Sequence, residues 1–179
     1  MRLFRILLCV LLLVLCIRKC EAQYNTSTGL TIPSIVQLPS DITNSNASPD
    51  ILADVIGLQF PVTAGNIYYF RFYIYYEVDA TSTGTRWTIN GPTLTNVAYY
   101  NLYGTNGTAS AMRWSNAYNG NSVSTSTPFT TGNVALLEGT IVCSANGNVI
   151  ARFSSEVASP AFVTVKASKS FVTYQRVNP

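Results

Sequence analysis

The stretch IYYFRFYIYYEVD, residues 67–79, constrains this chain more than any other, because it alternates without a break. In extended backbone successive side chains point to opposite faces. Tyr68, Phe70, Phe72, Ile74, Tyr76 and Val78 therefore share one face, and Tyr69, Arg71, Tyr73, Tyr75, Glu77 and Asp79 share the other. A helix would scatter both sets around its axis, so the segment reads as a long strand with one buried and one wet face. Shorter extended runs surround it. Leu52 to Val62 leads into a turn at Thr63-Ala64-Gly65-Asn66, and Arg86 to Ile89 ends at Asn90-Gly91-Pro92, where proline has no donor for a ladder. Thr93 to Tyr103 and Ala109 to Trp114 follow, then a polar loop over residues 115–132.

Val134 to Ser144 and Asn148 to Ser155 flank Asn146-Gly147. Asn-Gly between β-rich runs is a strong hairpin signal, because both residues tolerate the positive φ of a type I′ turn. That turn would place Ala145 opposite Asn148 and Glu138 opposite Ser155. Ala161 to Ala167 and Phe171 to Val177 close the chain. No segment sustains a 3.6-residue period. The pattern predicts an all-β fold, an antiparallel β-sandwich or jelly-roll-like arrangement of about eight or nine strands. The strands are too uneven for an outer-membrane barrel.

The N-terminus has a different character. Residues 1–22, MRLFRILLCVLLLVLCIRKCEA, join a short basic start to an apolar run from Ile6 to Ile17 and end in Cys20-Glu21-Ala22. The run suits a secretory signal and falls short of the roughly 20 residues that cross a bilayer. Arg18 and Lys19 beyond it leave a short membrane anchor as the alternative, the one membrane link expected if the segment is uncleaved. Residues 23–50 read as an extended polar leader and 51–179 as the sandwich domain. Residues 1–22 also carry all of the charge imbalance. The full chain has 11 Lys and Arg against 8 Asp and Glu. Removing Arg2, Arg5, Arg18, Lys19 and Glu21 leaves equal numbers of each sign, and no basic footprint for nucleic acid survives. Cys9, Cys16 and Cys20 leave too, so Cys143 remains as a single thiol, better suited to packing than to catalysis.

Catalytic chemistry is thinly supplied. The sequence has no histidine, which removes imidazole bases, imidazole metal ligands and Ser-His triads. A glycosidase needs two carboxylates across one cleft. The predicted hairpin turns Glu138 and Glu156 to opposite faces, and Glu77 and Asp79 read as a solvated strand end. No enzyme activity, cofactor or metal site is expected. The aromatic residues are the better candidates: Tyr69, Tyr73 and Tyr75 on the wet face of the long strand, with Trp114 and Tyr118 where the polar loop begins. Tyr99, Tyr100 and Tyr103 crowd another strand. Such residues suit glycan stacking or a protein interface, and equally packing beneath a second sheet or a neighbouring subunit. Asn25, Asn46 and Asn106 begin N-glycosylation triplets, relevant if the producing cell is eukaryotic.

The run DVIGLQFPVTAGNIYYFRFYIYYEVDATSTGTRWTINGPT, residues 54–93, joins an apolar strand through an Ala-Gly turn to an aromatic strand. A Thr/Ser-rich break and a Gly-Pro turn follow. GTIVCSANGNVIARFSSEVASPAFVTVKASKSFVTYQRV, residues 139–177, adds an Arg-Phe-x-Ser-Glu strand and a Val-x-Val-Lys-Ala closing segment. Together these resemble a β-sandwich domain of tailed-bacteriophage structural proteins, of the tail-fibre, minor-tail and head-decoration kind. The resemblance implies a non-enzymatic module on a virion surface that assembles with copies of itself or with other virion or surface proteins. It transfers no functional residue, and the export-like N-terminus departs from it by implying an extracellular or exported setting. A secreted carbohydrate-binding or adhesive module, with a glycan as partner, is the alternative.

Overall fold

The computed structural model describes residues 32–46, 48, 50–120 and 126–177. Within them the chain forms eleven strands: β1 (Ser34–Gln37), β2 (Ile42–Asn44), β3 (Ala53–Val62), β4 (Ile67–Val78), β5 (Thr85–Asn90), β6 (Leu94–Asn106), β7 (Ala109–Ser115), β8 (Asn133–Cys143), β9 (Gly147–Ser155), β10 (Val163–Val165) and β11 (Phe171–Arg176). A single 3-10 turn, Ala167–Lys169, stands between the last two. No helix among the described residues is long and apolar enough to cross a membrane. Residues 1–22, expected to be a signal or short membrane anchor, lie outside the described residues. The polar stretch read as a leader supplies β1 and β2, and Leu38 between them is buried.

The fold is a two-layer antiparallel sandwich. One sheet has the order β1-β11-β4-β8-β6-β7, with β2 and β10 continuing it beside the far end of β4; the other is β3-β9-β5. The long strand β4 obeys its period of two at every described position. Tyr68, Phe70, Phe72, Ile74, Tyr76 and Val78 are buried between the sheets, and the alternate residues face outward. The three-stranded sheet answers with Phe60, whose ring lies 5.7 Å from Phe70, 5.9 Å from Phe72 and 4.9 Å from Tyr174. Trp87 stacks on Phe153 at 5.6 Å and meets Tyr76 at 4.8 Å. Polar links also stitch the layers where side chains cross the core. Asn101 donates to the Trp87 carbonyl at 2.8 Å, and the Thr88 and Tyr99 hydroxyls pair at 2.8 Å.

The Asn146-Gly147 hairpin is not formed. β8 lies between β4 and β6, whereas β9 lies between β3 and β5, so the two strands belong to different layers. Neither residue has the positive φ that a type I′ turn requires. The sequence VALLEGTIVC explains the override. In the middle of the large sheet this strand pairs along both edges, with β4 and β6, and buries Ala135, Leu137, Ile141 and Cys143 between the layers, more than a two-stranded hairpin could. Asn146 Oδ1 instead accepts from Ala64 N–H at 2.8 Å, and a side chain on Gly147 would meet Pro92 Cβ at 3.0 Å. The loop over 115–132 is also more anchored than its composition implies. Asn119 N–H donates to Ile89, Thr127 N–H to Thr81 and Ser126 to the Thr105 carbonyl, so both flanks are tied to the sandwich.

β4 changes partner along one edge, from β11 to β10, and Tyr75 sits at the break. There the buried Ser170 hydroxyl stands in for a strand. It accepts from Tyr75 N–H at 3.0 Å and donates to Tyr75 O at 3.2 Å. Ser170→Ala leaves that N–H unpaired and is expected to cost about 1–3 kcal/mol, read as a lower denaturant midpoint at unchanged slope. A wild-type midpoint would show that solvent replaces the hydroxyl.

Candidate functional site

The outer face of the large sheet is covered by no other described strand of the chain. Its side chains fall into rows across the strands, set by the ladder register. One row runs Gln37, Phe171, Tyr73, Leu136, Leu102 and Met112, from β1 to β7. The next runs Ile35, Thr173, Arg71, Glu138, Tyr100 and Trp114. A third holds Gln175, Tyr69, Thr140 and Ala98. Tyr73 and Phe171 stack at 5.2 Å, and Tyr100 leans on Trp114 at 5.4 Å. Trp114 is 68% exposed and Met112 45%, values unusual for such large apolar side chains.

Arg71 and Glu138 are the two charged residues of these rows, and they are adjacent. Arg71 Nε lies 3.4 Å from Glu138 Oε2, Tyr69 Oη donates to Oε1 at 2.6 Å, and Tyr100 Oη donates to Oε2 at 2.8 Å. Partial burial pushes the Glu138 carboxyl upward, but the two phenols and the guanidinium outweigh it, so the group titrates below the ordinary carboxylate range. The Tyr69 phenol is pushed up to about 12 by burial and by the carboxylate it serves. Tyr100 is raised first by its bond to Glu138 and then by burial. Glu138 is thus held ionised at neutral pH, with its oxygens already engaged. Glu138 and Glu156 stand apart because β8 ends up in a different sheet from β9, which leads to Glu156; the hairpin that would have set their register is absent.

Tyr69, Tyr73, Tyr75 and Trp114 therefore all lie on one face, with Tyr75 carrying the Lys169 ammonium 4.2 Å over its ring. Tyr118 does not join them. It is half-buried against the core at the three-stranded sheet's side, its hydroxyl 3.4 Å from Cys143 Sγ, because Asn119 pins the segment to β5. Burial and the neighbouring thiol raise the Tyr118 phenol. Tyr99 and Tyr103 point into the core, and Tyr100 alone of that trio reaches the face. Leu136, Leu102, Met112 and Phe171 were missed by sequence reasoning. The available signal was the apolar run of β8, since a strand apolar on both faces has something to cover on each. Of the glycosylation triplets, Asn25 lies outside the described residues. Asn46 is exposed with its amide on Asn44 Oδ1 at 3.2 Å. Asn106 is exposed at the β6–β7 tip, its Oδ1 accepting from Thr108 N–H and Oγ1 at 2.9 and 3.1 Å. No group of three or more His, Cys, Asp or Glu able to hold a metal occurs among the described residues.

No protein family matches the chain, and no curated protein is similar to it. Among solved structures it is similar to the infectious bursal disease virus VP2 subviral particle, with 11% identity and a TM-score of 0.26 over 83% of this chain and 41% of that one. The Gx strain of the same virus gives 9% identity and a TM-score of 0.22 over 80% and 40%. The chain thus spans about two-fifths of the length of those chains. Likeness of this degree carries no argument about function, and the sandwich is established by its own strand pairing.

Proposed function

We propose that this chain is a non-enzymatic structural module that assembles with copies of itself through the outer face of the large sheet. The observation that carries the proposal is the row Phe171, Tyr73, Leu136, Leu102 and Met112, continuous across five strands and left uncovered by the second layer. The neighbouring rows add one charge of each sign, already paired. A face without net charge does not attract nucleic acid or an anionic membrane, and it fits a partner of the same composition. The resemblance of residues 54–93 and 139–177 to tailed-phage structural proteins supports placing the module on a virion surface, and the apolar N-terminus supports an exported one.

Trp114 supplies the test. The chain has two tryptophans, Trp87 buried and Trp114 on the face. Native mass spectrometry is expected to show an oligomer whose dilution shifts Trp114 emission to longer wavelength. Leu136→Lys is expected to leave a folded monomer, losing about 2–4 kcal/mol of association as a central apolar anchor does. A monomer at millimolar concentration, with Trp114 emission fixed, overturns the proposal. The exposure of Trp114 also favours a second reading, a neutral glycan stacked on its ring. A monomer whose emission shifts on adding soluble oligosaccharides would establish that one instead.

A further inference from the structure

We propose that Asn106 is a site of spontaneous modification, its carboxamide lost to attack by the Gly107 backbone nitrogen. The sequence holds four Asn-Gly pairs, beginning at Asn90, Asn106, Asn119 and Asn146. All four share the local chemistry, because glycine shields its own nitrogen least and leaves the backbone free to turn. Ring closure also requires the peptide between the two residues to swing, and the carboxamide to lie forward along the chain. The fold permits both at one pair and obstructs them at the other three.

Asn90 ends β5 opposite Ile150, and a Cβ on Gly91 would lie 2.6 Å from Tyr118 Oη. Asn119 is pinned twice. Its N–H donates to Ile89 O at 3.2 Å, and its Oδ1 accepts from Arg152 Nη1 at 3.0 Å, which turns the carboxamide toward β9. A Cβ on Gly120 would lie 2.5 Å from Ser115 Oγ. Asn146 Oδ1 is drawn to the Ala64 N–H, and Gly147 sits opposite Val62 with Pro92 packed over it. Asn106 differs on each count. It is exposed at the β6–β7 tip, and a Cβ on Gly107 would meet nothing within 4 Å. Its Oδ1 accepts from Thr108 N–H at 2.9 Å and from Thr108 Oγ1 at 3.1 Å. Those bonds fold the carboxamide forward over Gly107, the side from which the nitrogen reaches Cγ. They also set two donors on the oxygen that gains negative charge as the nitrogen adds.

In the reaction the Gly107 nitrogen gives its proton to hydroxide and bonds to Asn106 Cγ. The adduct breaks the Cγ–Nδ2 bond, and Nδ2 leaves as ammonia with a proton from water. Water then opens the cyclic imide at either carbonyl, leaving aspartate or isoaspartate. The tip gains a negative charge, and the Asn106-Gly107-Thr108 triplet loses its glycan acceptor.

Peptide mapping of the folded full chain, produced without glycans and held at mildly alkaline pH, tests the assignment. Aspartate and isoaspartate are expected at Asn106 before Asn90, Asn119 or Asn146, at a rate rising about tenfold per pH unit. In denaturing urea the four rates are expected to converge. Gly107→Ala adds its methyl to open space, keeps the fold, and is expected to slow the reaction at least about tenfold by crowding the nitrogen. Thr108→Val keeps the backbone donor, loses the hydroxyl, and is expected to slow it about threefold. Equal rates at the four pairs in the folded chain, or a lead for Asn119 or Asn146, overturn the proposal. So does an Asn106 that stays intact when folded and converts in urea. An unchanged rate in Thr108→Val overturns it as well, since the dipeptide would then act unaided by its turn.

Discussion

Gly139→Ala is expected to cost about 3 kcal/mol or more and to abolish most soluble protein, the largest effect of any single methyl group in this fold. β8 is the central strand of the large sheet, and Gly139 stands opposite Phe70 of β4 and Tyr99 of β6, both buried. A Cβ there would collide with the Ala98 carbonyl oxygen and lie 2.5 Å from Tyr99 Cα. Those are backbone atoms, which cannot swing aside as a side chain can. Relief requires parting β6 from β8 along a ladder that runs from Leu94 to Tyr103. Against a total stability of roughly 5–15 kcal/mol, the loss of that register unfolds the sheet. Gly107→Ala is the matched control, since a Cβ there meets nothing within 4 Å and is expected to change stability by less than about 0.5 kcal/mol. Urea denaturation of the two variants side by side decides the matter. A wild-type midpoint for Gly139→Ala would mean that β6 and β8 are less closely apposed than their register implies.

Trp87→Ala is expected to cost about 3–5 kcal/mol, the range for emptying a large aromatic site in a packed core. The indole is fully buried, stacked on Phe153 and against Tyr76, and its Nε1–H donates to Thr85 Oγ1 at 3.0 Å. Deleting it removes the main contact between β5 and the end of β4 and leaves the Thr85 hydroxyl without its donor. The backbone link from Asn101 survives, because it uses the Trp87 carbonyl. Trp87→Phe keeps the stack on Phe153 and is expected to lose distinctly less. Thermal unfolding by circular dichroism measures both, and Trp114 serves as an internal emission probe in each variant. Equal losses for Ala and Phe would place the energy in the Thr85 bond and not in the stacking.

How far the face was legible depended on what each residue's neighbours could reveal. Tyr69, Tyr73 and Tyr75 were assignable because β4 alternates strictly, and an alternating strand names its own faces. Trp114 was assignable as an aromatic in a short polar strand. Tyr118 was not, because long-range contacts fold its segment back over β5, Asn119 N–H donating to Ile89 O and Arg152 to Asn119 Oδ1, and no local pattern encodes them. In the sequence Glu138 reads only as one of two carboxylates that the expected hairpin turns to opposite faces. Its real setting, two phenols and a guanidinium from two other strands, exists only once β4, β8 and β6 lie side by side.

The same division holds for the fold. The positions of the longer strands, the burial of one side of β4 and the all-β class follow from the sequence alone, since alternation and turn residues act within a few residues of themselves, whereas β1 and β2 in the polar leader do not. Which strands pair was decided only in three dimensions. Asn146-Gly147 carried a strong local preference for a hairpin, and the structure sets that preference aside to place β8 between β4 and β6. A turn contributes about a kilocalorie per mole, whereas a strand paired along both edges that buries Ala135, Leu137, Ile141 and Cys143 between the layers gains several, so packing overrules the local preference of this turn.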